Sequence, residues 1–131
     1  MSADEAIRQA MAEVPKAVAA GVVDMGSGMM LAIKTIDSHP QSVLDVLAPA
    51  TKEMFEGDMV EQIESLFKKA RGVNSDERYF QEILISSTHL WHYFGRLKAM
   101  PQVVLAVVTR GDVNLGMLVM KARQIASSAT V

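Results

Sequence analysis

Two segments of this chain are apolar on both faces, and that limits the possible folds more than any other feature. Residues 17–23 read Ala-Val-Ala-Ala-Gly-Val-Val, and residues 103–108 read Val-Val-Leu-Ala-Val-Val. Successive side chains of a strand point to opposite faces, so a strand with no polar alternation must be covered on both sides. Two such strands belong next to each other in the middle of a sheet, with helices above and below. Both runs are far shorter than the roughly 20 residues that cross a bilayer.

The remaining elements arrange themselves around that pair. Residues 3–14 place Ile7, Ala10, Met11 and Val14 on one helical face. Asp4 and Glu5 sit at the end where the helix dipole favours negative charge, and Pro15 follows. The first two-sided strand covers 16–24. Met25-Gly-Ser-Gly28 then makes a turn, and the chain returns as a strand at 29–36, where Lys34 suits a place nearer an edge. Residues 79–86 read as a third strand, with Phe80, Glu82 and Leu84 opposite Tyr79, Gln81, Ile83 and Ile85. Residues 89–97 read as a fourth, with Leu90, His92 and Phe94 opposite Trp91 and Tyr93. The second two-sided strand ends at 109. A helix at 113–127 follows, with Asp112 as N-cap and Leu115, Leu118, Val119, Ala122 and Ile125 on one side. With the two-sided strands central, the strand order is 2-1-5-4-3. The expected fold is α+β: a five-stranded antiparallel sheet in a three-layer α/β/α sandwich, formed by all 131 residues as one domain.

Between the second and third strands, residues 38–71 read as one long helix on one face of the sheet, the two terminal helices covering the other. Ser38 can cap its start, Pro40 falls in the first turn, and Arg71-Gly72 closes it. Leu44, Ala48, Phe55, Met59, Ile63, Leu66 and Ala70 form a stripe along its length, suited to the sheet. Val43, Leu47, Ala50 and Met54 form a second stripe, continued by Gly57, that needs another partner. A helix docked on a neighbouring molecule fits this pattern; the alternative is a helix sunk in a single core. Pro49 is expected to kink or restart the helix, and Gly57 is a second weak point. The third strand has a neighbour on one side only, leaving Phe80, Ile83, Leu84 and Ile85 on an open edge. The expected homodimer interface is therefore Val43, Leu47, Ala50, Met54 and Gly57 of the helix with Phe80, Ile83 and Ile85 of the edge strand. The other possibilities are an edge held open for a partner's strand, or one capped by the loop at 73–76.

Composition narrows the function classes. A formal net charge of −2 gives no electrostatic case for nucleic acid or an anionic membrane. The chain has no cysteine and starts Met-Ser-Ala-Asp-Glu, unlike a signal peptide, which fits a cytoplasmic protein. Ten methionines suit either core filling or an adaptable contact surface. There is no phosphate-binding Gly-x-x-x-x-Gly-Lys loop, and Gly26-Ser-Gly28 runs on to Leu31, unlike a dinucleotide fingerprint. His89 and His92, three apart, would point to opposite faces of a strand and hold no metal together. Ser86, Ser87 and Thr88 lack the glycines of a nucleophile elbow. Glu53, Glu56, Glu61 and Glu64 read as a solvated helix face, and Arg110 as a surface arginine or an exposed binding residue. The expectation is a protein without cofactor, metal or catalytic activity.

Three local features resemble the roadblock family of dynein light chains and its prokaryotic relatives, within a similarity that runs from about Ala3 to Ser127. They are Gly21-Val-Val-Asp-Met-Gly-Ser-Gly, Val103-Val-Leu-Ala-Val-Val-Thr-Arg and the Asn-Leu-Gly step in Asp112-Val-Asn-Leu-Gly-Met-Leu, where Gly116 would let the last helix start close to the sheet. The resemblance implies binding rather than catalysis: dimers with antiparallel long helices and joined edge strands. It also implies a regulatory role toward a partner such as a small Ras-like GTPase, as in bacterial gliding-motility regulators. The competing reading is a small-molecule sensor with an apolar pocket lined by Trp91, Tyr93 and methionines.

Overall fold

In the computed structural model, which describes residues 1–36 and 39–131, β1 (Ala17–Asp24) and β5 (Val103–Arg110) run antiparallel side by side. Gly21 stands opposite Ala106 and Val22 opposite Leu105. β2 (Met29–Thr35) flanks β1, β4 (Leu90–Arg96) flanks β5, and β3 (Glu82–Ser86) forms the far edge, giving the order β2-β1-β5-β4-β3. α1 (Ala3–Glu13) and α4 (Leu115–Ser128) pack on one face, where Ile7, Ala10, Leu118, Ala122 and Ile125 meet Val22, Tyr93, Leu105 and Val107. α2 (Gln41–Glu56) packs on the other, where Ala48 and Phe55 meet Val23, Phe94 and Val104. The two-sided strands are thus central and covered twice, and the fold is the expected three-layer α+β sandwich.

Local chemistry sets the turns. Asp24 accepts the Gly26 N–H at 3.0 Å and the Ser27 hydroxyl at 2.8 Å, and Gly28 closes the β1–β2 turn at a φ of +73°. Asn114, not Asp112, caps α4: its side-chain oxygen accepts the Met117 N–H at 3.0 Å, while Asp112 pairs with Lys16 at 2.5 Å. Gly116 is exposed, and a Cβ there would meet only Asn114 Oδ1, so it permits no close approach to the sheet. On β4, Tyr93 turns its hydroxyl across Gly95 to donate to Glu82 Oε2 at 2.7 Å, and a Cβ on Gly95 would lie 2.3 Å from that hydroxyl. Glu82 also accepts two bonds from Arg123, which hold its carboxyl below the usual range against the opposing effect of burial; burial and the bond to Glu82 push the Tyr93 phenol up.

The long helix is two helices. α2 runs through Pro49, which is exposed on its surface, and ends at Gly57. Gly57 is extended (φ −63°, ψ 165°), and α3 (Asp58–Arg71) starts directly after it. A Cβ at Gly57 would lie 2.5 Å from the Glu53 carbonyl oxygen, so this break requires glycine. At the other end, Pro40 is the N-cap residue rather than part of the first turn, and the expected cap Ser38 lies outside the described residues. Gly72, at φ +67°, closes α3 as expected.

The break resets the helical phase, so the stripe read along 44–70 does not keep one partner. Ala48 and Phe55 of α2 are buried, but Met59, Ile63 and Leu66 of α3 face solvent. The α3 residue that turns inward is Glu64, 3 % exposed. Its carboxylate accepts the backbone N–H groups of Tyr79 and Phe80 and pairs with Arg78 at 3.0 Å. Next to it, Arg96 donates to the carbonyls of Phe80 and Pro101, lies 5.1 Å from the Phe55 ring centre and faces Glu56 at 3.6 Å. Burial draws the Arg96 guanidinium below its ordinary value, and Glu56 opposes this. With their amides turned to Glu64, Tyr79 and Phe80 leave the sheet ladder, so β3 starts at Glu82 rather than at 79. Phe80 then falls on the α2 side together with Ile83, opposite Glu82.

Removing Glu64 leaves two amides and a largely desolvated arginine without their acceptor. Glu64→Ala should lower the unfolding free energy by about 3 kcal/mol, the low end for a broken buried pair, because Arg78 retains some contact with water and with Glu61. Urea denaturation of the two proteins measures the difference; a loss below about 1 kcal/mol would show that the cluster does not anchor α3.

Candidate functional site

Besides the apolar side chains left exposed along β2 (Met29, Leu31 and Ile33), the described surface has two features on the α2–α3 side. The first is the outward row of α3. Met59, Ile63, Leu66, Phe67 and Ala70 recur at helical spacing, and Met59, Leu66 and Phe67 are 68 %, 66 % and 55 % exposed. The opposite row, Val60, Glu64 and Lys68, faces the body. Phe67 tilts against Tyr79 at 6.1 Å between ring centres, and Lys68 and Arg71 lie over the same tyrosine, so the apolar row is held by a fixed base. Contiguous exposed apolar surface of this kind marks an interaction site.

The residues expected at a dimer interface divide into two groups. Ala50 is exposed on α2, and Val43 and Ile85 are each 38 % exposed. Leu47 is half-buried and, with Val43, overhangs the sheet. Met54, Phe80 and Ile83 pack partly buried against the α2 core, and Gly57 is buried at the helix break. The structure therefore does not gather all eight on one open face, and it adds the α3 row, which the periodicity reveals but assigns to the sheet.

The second feature is a crevice of about 110 Å³ between α2 and the sheet. Ala19, Gly21 and Ala106 form its floor, Val23, Phe94 and Val108 its walls, and Val43, Leu44 and Leu47 its roof. His39 and His92 are the ring nitrogens in its lining, and His92 shares a hydrogen bond with the Ser87 hydroxyl at 3.0 Å. Burial, and second the nearby His39, pull the His92 imidazole below its ordinary value, towards the neutral form. Of the residues named for the competing pocket reading, Met30 lines this crevice, whereas Tyr93 and Trp91 face the other side of the sheet. His89 lies in the β3–β4 turn, where its carbonyl accepts the Gly111 N–H at 2.8 Å, and not on the strand. Among the described residues, no helix is long and apolar enough to cross a membrane.

No protein-family model matches the sequence, and no curated protein matches it. Solved structures do. An MglB described in a tetrameric arrangement superposes with a TM-score of 0.70 at 20 % identity, over 95 % of this chain and 82 % of that one. The gliding protein MglB of Thermus thermophilus gives 0.67 at 20 % identity, over 94 % and 82 %. A Roadblock/LC7 domain from Streptomyces avermitilis gives 0.66 at 14 % identity, over 98 % and 94 %. A sheet ordered β2-β1-β5-β4-β3 between two helical layers, superposed nearly end to end on these structures, gives this chain the roadblock fold.

Proposed function

We propose that this protein is a non-enzymatic, cytoplasmic interaction module that acts as a homodimer and binds or regulates a small Ras-like GTPase or another signalling partner. The observation that carries the reading is the apolar row of α3 turned to solvent while the helix anchors itself through Glu64. A monomer has no use for Met59, Leu66 and Phe67 in water; a second copy covers them. The proposed interface joins this row to Val43, Leu47, Ala50 and Ile85, with Met54, Gly57, Phe80 and Ile83 behind it as support. β3 also has a free edge, and pairing with the same strand of a two-fold mate would satisfy its unpaired backbone groups. Solved neighbours that include an MglB in a tetrameric arrangement support self-association. The GTPase partner rests on the family resemblance of the Gly21 and Asn114 segments.

Sedimentation equilibrium at micromolar concentration should give a dimer, and Leu66→Asp should weaken it at least tenfold without changing the circular dichroism spectrum. A monomeric wild type would remove the basis of the proposal. Amide exchange separates the two parts of the interface: protection of Glu82–Ser86 should fall on dilution together with dissociation. Protection that persists while the subunits separate would assign the contact to the helices alone.

A further inference from the structure

We propose that the crevice beneath α2 is a binding site for a small, uncharged, apolar molecule about the size of one benzene ring. Its shape is built by the sequence of the two central strands. On the α1–α4 face of the sheet, the positions next to this point carry Val22, Leu105 and Val107 and are filled. On the α2 face, Gly21 pairs with Ala106, so the middle of the sheet presents nothing larger than a methyl group. α2 spans this low floor without filling it, because Val43, Leu44 and Leu47 are held at the height set by Ala48 and Phe55 on the neighbouring core.

The lining decides the ligand class. Among the described residues it contains no carboxylate, ammonium or guanidinium, so a charged ligand would lose its water there with no counter-ion. The Thr51 hydroxyl already donates to the Leu47 carbonyl at 2.7 Å, and one His92 nitrogen meets Ser87. His39, the remaining ring in the described lining, also has an interaction of its own, and few polar partners are left for a water, which needs two to four. Apolar hollows of about 150 Å³ are known to stay dry and accept benzene; this one, at 110 Å³, is somewhat smaller but opens to one side. A single ring fits, and a lone hydroxyl on it would meet the His92 imidazole.

Methyl-labelled protein titrated with toluene and with phenol tests the assignment. Saturable shifts are expected at the methyls of Val23, Leu44, Leu47 and Val108, with benzoate at least tenfold weaker. Ala106→Leu should fill the floor and weaken toluene binding at least tenfold. If that variant distorts the sheet, Gly21→Ala serves instead: its Cβ would lie 3.4 Å from Met30 Sδ and 3.5 Å from the Ala32 carbonyl oxygen, ordinary contacts, and it should weaken binding several-fold. Absent shifts, shifts confined to the α3 row, or equal affinity in wild type and the folded variants would overturn the proposal. Self-association is read separately by sedimentation, so failure here leaves the α3 interface standing.

Discussion

The pairing of β1 with β5 is the constraint from which the rest of the architecture follows. Both strands are buried along nearly their whole length on both faces. A sheet built on them is stable only between two helical layers, and the chain supplies helices before, between and after its strands. The outer strands are then free to be short, mixed and partly open, and they are: β2 and β3 are mostly exposed. Stability is concentrated in the centre, and the edges and the α2–α3 side remain for contacts.

α3 illustrates how a polar group can set the orientation of an apolar helix. Its larger apolar row would ordinarily turn inward. Instead Glu64 is inside, because two backbone amides and Arg78 converge on its carboxylate. Turning the helix the other way would break that buried set and strand its charges, while the apolar row can still be covered from outside. The cluster is not fully satisfied: Glu56 Oε2, Arg78 Nε and Arg96 Nη2 have no hydrogen-bond partner among the described residues. A cluster with such unsatisfied atoms adds less net stability than a fully paired one. Here it fixes the helix with its apolar row outward.

Much of this is legible in the sequence, and the exceptions have physical causes. The strand order can be deduced because two-sided strands must be central, whatever the loops do. The closing of α3 at Gly72 and the β1–β2 turn are legible because positive φ favours glycine. The stripe on 59–70 is visible, but its partner is not the sheet. Periodicity assumes one continuous helix, and Gly57 shifts the phase by adopting an extended backbone. The pattern starts β3 too early because Tyr79 and Phe80 alternate like strand residues, and nothing in the local sequence reveals that a glutamate 15 positions earlier captures the Tyr79 amide. Propensity puts the break at Pro49, yet the helix tolerates proline at that exposed position. The crevice depends on which small residues meet across β1 and β5, and that register is invisible in one dimension.

The bond from Tyr93 to Glu82 passes over Gly95, and this ties three positions into one evolutionary unit. Glu82 and Gly95 are direct partners across the β3–β4 ladder, and the tyrosine occupies the volume that any side chain at 95 would need. A lineage can gain a side chain at 95 only after it has shortened residue 93. Shortening residue 93 first leaves Glu82 without its phenol and opens a hole in the α1–α4 core. The order of substitutions is therefore restricted: a side chain at 95 has room only once the tyrosine at 93 has moved or shortened.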